Sequence, residues 1–205
     1  MPTFLDQTND LLLTVGELPV SDFDGYVARK AVLAFQQALR FVSTLYRWPH
    51  LRSEVVPTSW VGDTVANLPE FQSVIAVFLQ DSPKIKLPEV TYQKLQEGIL
   101  DVADTPTMWA HRDQRSLQFR PVDATNKAKL RFYLLLAPTV PVNVSDNITL
   151  DAQFLQCVTL YAESILHRTH TTDLASANAS SRQFEVELQT LRTRRESDTP
   201  TTWRY

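Results

Sequence analysis

The stretch SDFDGYVARKAVLAFQQALRFVSTLYRWP, residues 21–49, decides the fold class. Val27, Ala31, Ala34, Phe35, Ala38, Val42 and Leu45 recur at helical spacing and keep one face apolar, while Arg29, Lys30, Gln36, Gln37 and Arg40 fall opposite. Ser21 to Asp24 supplies a helix start, and Pro49 disfavours helical geometry in the residue before it, so the helix is expected to stop near Trp48. A helix with one apolar face must bury it against other elements. Its partners have to lie elsewhere in the chain.

Upstream, Thr3 followed by Asp6 has the form of a helix start, and Gly16 with Pro19 a stop, giving a first helix over roughly Phe4 to Val15. Far downstream, Thr149 is a candidate cap for a third helix whose Leu150, Phe154, Cys157, Val158, Tyr161, Ala162 and Ile165 form a wide apolar stripe, suited to packing on the second. A polar joint, His170-Thr171-Thr172-Asp173, leads into a fourth helix with a narrower stripe of Phe184, Leu188 and Leu191. The basic run Arg192, Arg194, Arg195 suits a helix C-terminus. Glu196 to Tyr205 reads as an irregular tail ending in Trp203-Arg204-Tyr205, which is expected to order against a partner.

Between Leu51 and Asn147 the texture changes: eight of the twelve prolines fall there, and short apolar or alternating runs replace the helical period. Candidate strands are Phe71 to Leu79, Pro83 to Leu87, Met108 to Arg112, Ser116 to Arg120 and Lys129 to Leu136, with one helix over Val90 to Val102. The expected class is α+β: a bundle of about four helices from residues 1–50 and 148–195, a β-rich region with one short helix inserted at 51–147, and a tail at 196–205.

Composition narrows the function classes. With 43% hydrophobic and 21% charged residues in 205, the chain is of ordinary globular make-up, and no run approaches the roughly 18 to 20 apolar residues of a membrane helix. The N-terminus lacks the pattern of a signal peptide, which points to the cytosol or a particle assembled there. The single Cys157 excludes an internal disulfide and a thiolate zinc knuckle. A net charge of −3 argues against a general nucleic-acid footprint, and the four scattered glycines, Gly16, Gly25, Gly62 and Gly98, build no phosphate-cradling loop.

His167 and His170 stand at i, i+3 spacing, yet nothing is spaced to complete a metal site; a solvated helix end is the simpler account. Glu185 with Glu187, or Asp101 with Asp104, has the composition of a glycosidase pair, but such pairs arise by chance among 23 acidic residues. No Gly-x-Ser-x-Gly elbow occurs, and the triplets at Asn143, Asn147 and Asn178 have no use without export. No catalytic residue, metal ligand or cofactor is therefore assigned. Tyr46-Arg47-Trp48 suits a helix end capping the core, whereas Trp203-Arg204-Tyr205 suits an interface.

One motif carries a resemblance. Asn9-Asp10-Leu11, then Gly16-Glu17, then Pro19-Val20 is similar to the opening of the tail tubular protein A family of short-tailed bacteriophages, with Leu18 where a second proline or polar residue is expected. Arg47-Trp48 resembles the family's helix end, Leu117-Gln118-Phe119-Arg120-Pro121 and the strand through Tyr133 resemble the β portion of phage adaptors, and Phe154 to Arg168 resembles their third helix. The resemblance implies a non-enzymatic virion part: a homododecameric ring between portal and tail nozzle through which genomic DNA passes.

On that reading the tail, with Arg194, Arg195, Trp203, Arg204 and Tyr205, would dock on the portal. Leu51, Val55, Val56 and Trp60 would form a subunit or nozzle face, because a ring needs two different patches that meet. Two other readings are an adaptor that also degrades peptidoglycan, testable at Glu185 and Asp101, and a helical nucleic-acid-binding or regulatory protein with salt-dependent DNA affinity.

Overall fold

A computed structural model describes residues 2–46, 48–65, 67–81, 83–97, 108–113, 116–120 and 124–197. In chain order the elements are α1 (Phe4–Thr14), α2 (Tyr26–Leu45), β1 (Arg52–Val55), β2 (Trp60–Val61), β3 (Thr64–Val65), β4 (Phe71–Leu79) and β5 (Ile85–Leu87). They continue with α3 (Tyr92–Glu97), β6 (Met108–His111), β7 (Leu117–Arg120), α4 (Ala124–Lys129), β8 (Leu130–Leu136), α5 (Ala152–Leu166) and α6 (Leu174–Ser197). The class is α+β, and the chain divides into two compact units, Met1–Tyr46 with Pro138–Tyr205, and Arg47–Ala137.

In the first unit, local chemistry sets each helix end. Thr3 and Asp6 form a reciprocal capping box at the start of α1. At its other end Gly16 sits at φ +78° and donates to the Leu13 carbonyl, while the Glu17 amide reaches the Leu12 carbonyl at 2.9 Å. That pairing of orphan carbonyls is a Schellman closure, and a glycine adopts the left-handed backbone at no steric cost.

Helix α2 begins later than expected: Gly25 is its cap, and the Asp22 carboxylate instead accepts the Asp24 amide within the preceding loop. It ends at Leu45, where Tyr46 turns extended ahead of Trp48. Asp151, not Thr149, caps α5, its Oδ1 accepting from the Gln153 and Phe154 amides. The polar joint is a π-helical turn, His167–Thr171, closed by Thr172 at φ +56°; Asp173 then accepts the Ala175 and Ser176 amides to start α6.

Helix α5 is the hub, packing on α1, α2 and α6, and α1 also packs on α2. The core of this unit includes Phe4, Leu12, Phe35, Leu39, Phe154, Val158 and Leu166, all fully buried. Phe41 of α2 stacks on Tyr161 of α5 at 4.5 Å, and Tyr161 meets Phe184 of α6 at 5.2 Å, so one aromatic run spans three helices.

The second unit holds two four-stranded antiparallel sheets, ordered β1-β8-β4-β5 and β2-β3-β7-β6. Val77, Leu79, Leu87, Phe132 and Leu134 of the first share one core with Val65, Trp109, Leu117 and Phe119 of the second. Such a shared core between two sheet faces is a sandwich. Strand β4 covers Phe71–Leu79 as expected, but β8 starts at Leu130 because Ala124–Lys129 is helical. Strands β1, β2 and β3 were not expected. Of the helix expected over Val90 to Val102, α3 is the described part; residues 98–107 lie outside the described residues.

Candidate interaction surfaces

The Asn9 to Val20 motif is a mechanical joint. Asn9 donates to the Val20 carbonyl at 3.1 Å and accepts the Val20 amide at 2.8 Å, pinning the loop that follows α1. Glu17, held by the Gly16 closure, places Oε1 2.8 Å from His170 Nε2 in the π-helical turn. Lys30 of α2 donates to the Thr169 carbonyl of that turn at 2.9 Å, and Arg168 donates to Ser181 of α6. A left-handed, β-branched Thr172 is costly backbone, and these ties from α1's loop, α2 and α6 surround it. The region positions helices.

His167 and His170 do not face a common point, since His167 Nδ1 lies 3.4 Å from the Thr171 hydroxyl while His170 turns to Glu17. Among the described residues no three His, Cys, Asp or Glu side chains gather to hold a metal. Glu185 and Glu187 stand two apart on α6, a spacing that points them to different sides of a helix. Asp101 and Asp104 lie outside the described residues. Cys157 is buried, and burial first, then the nearby Glu187 charge, pushes its thiol up to about 11, the state of an inert core thiol.

Burial also raises the Glu163 carboxyl above its ordinary value, against the opposing pull of His167 and of the Ser180 hydroxyl at 3.5 Å. Hydrogen bonds from backbone amides hold the half-buried Asp146 low, where its carboxylate gathers the Val142 and Asn143 amides in the turn before α5.

The four residues expected to form an interface are placed differently from one another. Leu51 is buried, and Val55 and Trp60 pack against the sandwich core. Trp60 lies between the Phe119 ring at 5.8 Å and the Lys127 ammonium at 5.2 Å, with Lys127 also donating to the Gly62 carbonyl. Val56 is 47% exposed. Arg194 and Arg195 belong to the last turn of α6, but their side chains, like Trp203, Arg204 and Tyr205, lie outside the described residues.

Exposed apolar side chains also occur where none was expected. Tyr26 and Leu33 stand on the outward stripe of α2 beside Arg29 and Arg40, and Val186 on that of α6. Aromatic, leucine and arginine side chains set on an exposed stripe are the composition of contact surfaces. Leu33 breaks the polar face in the sequence, which was the available signal.

The sandwich has two unlike sides. On one, Val90 donates to the Trp109 carbonyl and Trp109 to the Pro88 carbonyl, so the chain leaving β5 bridges to β6. On the other, β1 and β2 are the outer strands of their sheets, with Val56 exposed just after β1 and Val61 exposed within β2. The run Pro83 to Pro88, with Lys84 and Lys86 alternating with Ile85 and Leu87, is the sequence signature of an outer strand.

Among comparisons with known proteins, a family model described as SU10 adaptor protein matches residues 3–204. No curated protein matches the chain.

Proposed function

The chain belongs to the SU10 adaptor protein family, and from that premise we propose that it is a structural head-to-tail adaptor of a short-tailed phage virion. Copies form a ring, of twelve by the resemblance of the N-terminal motif, between portal and tail nozzle, and genomic DNA passes through it. The observation that carries this reading is the extent of the family match, which takes in both compact units. Exposed Tyr26, Leu33, Val56, Val61 and Val186 supply contact area of the kind a repeated assembly requires.

The work done is geometric rather than catalytic. Glu185 and Glu187 point to different sides of α6. A net charge of −3 suits a channel that lets DNA slide rather than grips it. No described helix is long and apolar enough to cross a membrane. The proposed station is the virion neck, with Arg194, Arg195, Trp203, Arg204 and Tyr205 directed to the portal.

Negative-stain microscopy of the full-length protein mixed with its portal tests the reading. Rings seated on the portal are expected. Dispersed subunits that leave the portal bare would overturn it, and clearing of a peptidoglycan suspension that is lost in Glu185→Gln would overturn the non-catalytic part.

A further inference from the structure

On the ring reading above, on which this inference rests, we propose that α1 of one copy packs on α2 of the next. Leu13 seats against Leu33, and the carboxylates of Asp6 and Asp10 face the guanidinium groups of Arg29 and Arg40.

Charge is divided sharply along the first quarter of the chain. Residues 1–28 hold Asp6, Asp10, Glu17, Asp22 and Asp24 and no Lys, Arg or His, whereas residues 29–53 hold Arg29, Lys30, Arg40, Arg47 and Arg52 and no Asp or Glu. The charged side chains of α1 are therefore all acidic and those of α2 all basic. Both helices belong to one compact unit, and each turns its main apolar face inward, α1 through Phe4, Leu11 and Leu12 and α2 through Ala31, Phe35 and Ala38.

On the opposite side of each helix lies a stripe of mixed character. Asp6, Asp10 and Leu13 follow one another at spacings of four and three on α1, and Arg29, Leu33 and Arg40 at four and seven on α2, so each set shares a face. All six are exposed, Leu13 by 56% and Leu33 by 55%. Asp10 is met by a long bond from Gln7 at 3.4 Å and Arg29 by Asp24 at 3.8 Å, loose exposed pairs that a partner can displace.

The two stripes match in register. At a rise of about 1.5 Å per residue, Asp10 and Asp6 stand about 4.5 and 10.5 Å from Leu13 along α1, while Arg29 and Arg40 stand about 6 and 10.5 Å to either side of Leu33. With Leu13 on Leu33, Asp10 falls beside Arg29 if the helices run alike, and Asp6 beside Arg40 if they run opposed. A carboxylate meets a guanidinium in both senses. The leucines supply contact area and the charges select the surface. A ring needs two different patches that meet, and like-charge repulsion rejects α1 on α1 and α2 on α2.

Exchange of the central pair tests the contact in the full-length protein assembled with its portal. Leu13→Arg meets Arg29 and Arg40 of the neighbour, and Leu33→Glu meets Asp6 and Asp10, so each alone is expected to lose rings several-fold by negative stain. A chain carrying both changes recovers them, because Arg and Glu then face each other at every junction. A folding defect would add rather than cancel. Rings from either single variant as abundant as wild type overturn the inference. So does a double variant no better than its parts, which would assign the leucines to the portal, to the nozzle or to no partner.

A second measurement changes no charge: a chain carrying Leu13→Cys and Leu33→Cys, treated in assembled rings with a short bismaleimide, should give a ladder linked 13 to 33 that climbs beyond dimers. Cys157 is buried and does not compete. Links of 13 to 13 or 33 to 33, closed dimers with no higher ladder, or intact rings without links overturn it. Wild-type protein that forms no ring removes the premise and this inference together; wild-type rings indifferent to all these changes remove the inference alone.

Discussion

Asn9 satisfies both backbone groups of Val20 with one side chain, and the site is part-buried. Asn9→Ala leaves a donor and an acceptor unmet, so a loss of about 1–3 kcal/mol is expected in urea unfolding, with the slope unchanged. A second residue, Glu163, makes stability depend on pH. Its folded carboxyl is raised above the ordinary 4.5, chiefly by burial, so the folded chain holds that proton more firmly than the unfolded chain. As pH climbs from about 4.5 through the raised value, the unfolded state ionises first and stability is lost. Glu163→Gln should therefore be the more stable protein at pH 7, with the difference shrinking as pH falls below 4.5, where both side chains are neutral. Unfolding midpoints at the two pH values check the sign; a variant weaker than wild type at pH 7 would show that the carboxylate is favourably held.

Helix α6 buries only a narrow stripe, Ala177, Phe184, Leu188 and Leu191, and Phe184 closes the aromatic run from Phe41 through Tyr161. Phe184→Ala should cost about 3–5 kcal/mol by loss of transfer energy and the cavity left behind, read as a lowered unfolding midpoint. How far the elements were legible follows from their length. Helices α1, α2, α5 and α6 and strands β4 and β8 are long enough for the apolar period to repeat, and each lies where the pattern placed it within a few residues. Strands β2 and β3, two residues each around a left-handed Gly62, carry no period, and α4 lasts six residues. Two caps were misassigned because Ser21 to Asp24 and Thr149 share the chemistry of true caps, and only the backbone shows which oxygen reaches the free amides. Trp60 was expected on an interface face, and its packing on the sandwich core was not legible because Phe119 and Lys127, which lie beside its ring, are distant in sequence. The His170 partner Glu17 lies 153 residues away, beyond any local signal.

At the scale of the whole molecule, an adaptor is defined by what its surfaces meet, and the C-terminal segment is the part proposed to meet the portal. Helix α6 runs to Ser197; beyond it Pro200, with threonines at 199, 201 and 202, opposes continuation of the helix, and the chain then carries Trp203, Arg204 and Tyr205. Aromatic and arginine side chains dominate the energetics of protein contacts. Burying Trp203 and Tyr205 against the portal would return roughly 2–3 kcal/mol each by area, which offsets much of the entropy of fixing a short peptide. One such contact is modest, but copies held in a ring dock together, and each docking after the first proceeds at high effective concentration. Attachment should therefore depend steeply on the segment, while the folded subunit should not depend on it at all. Truncation after Asp198 is expected to weaken capture by the portal in a pull-down and to leave the melting temperature almost unchanged. A truncated protein that melts many degrees lower yet still binds the portal normally would instead assign Trp203 and Tyr205 to the subunit's own core.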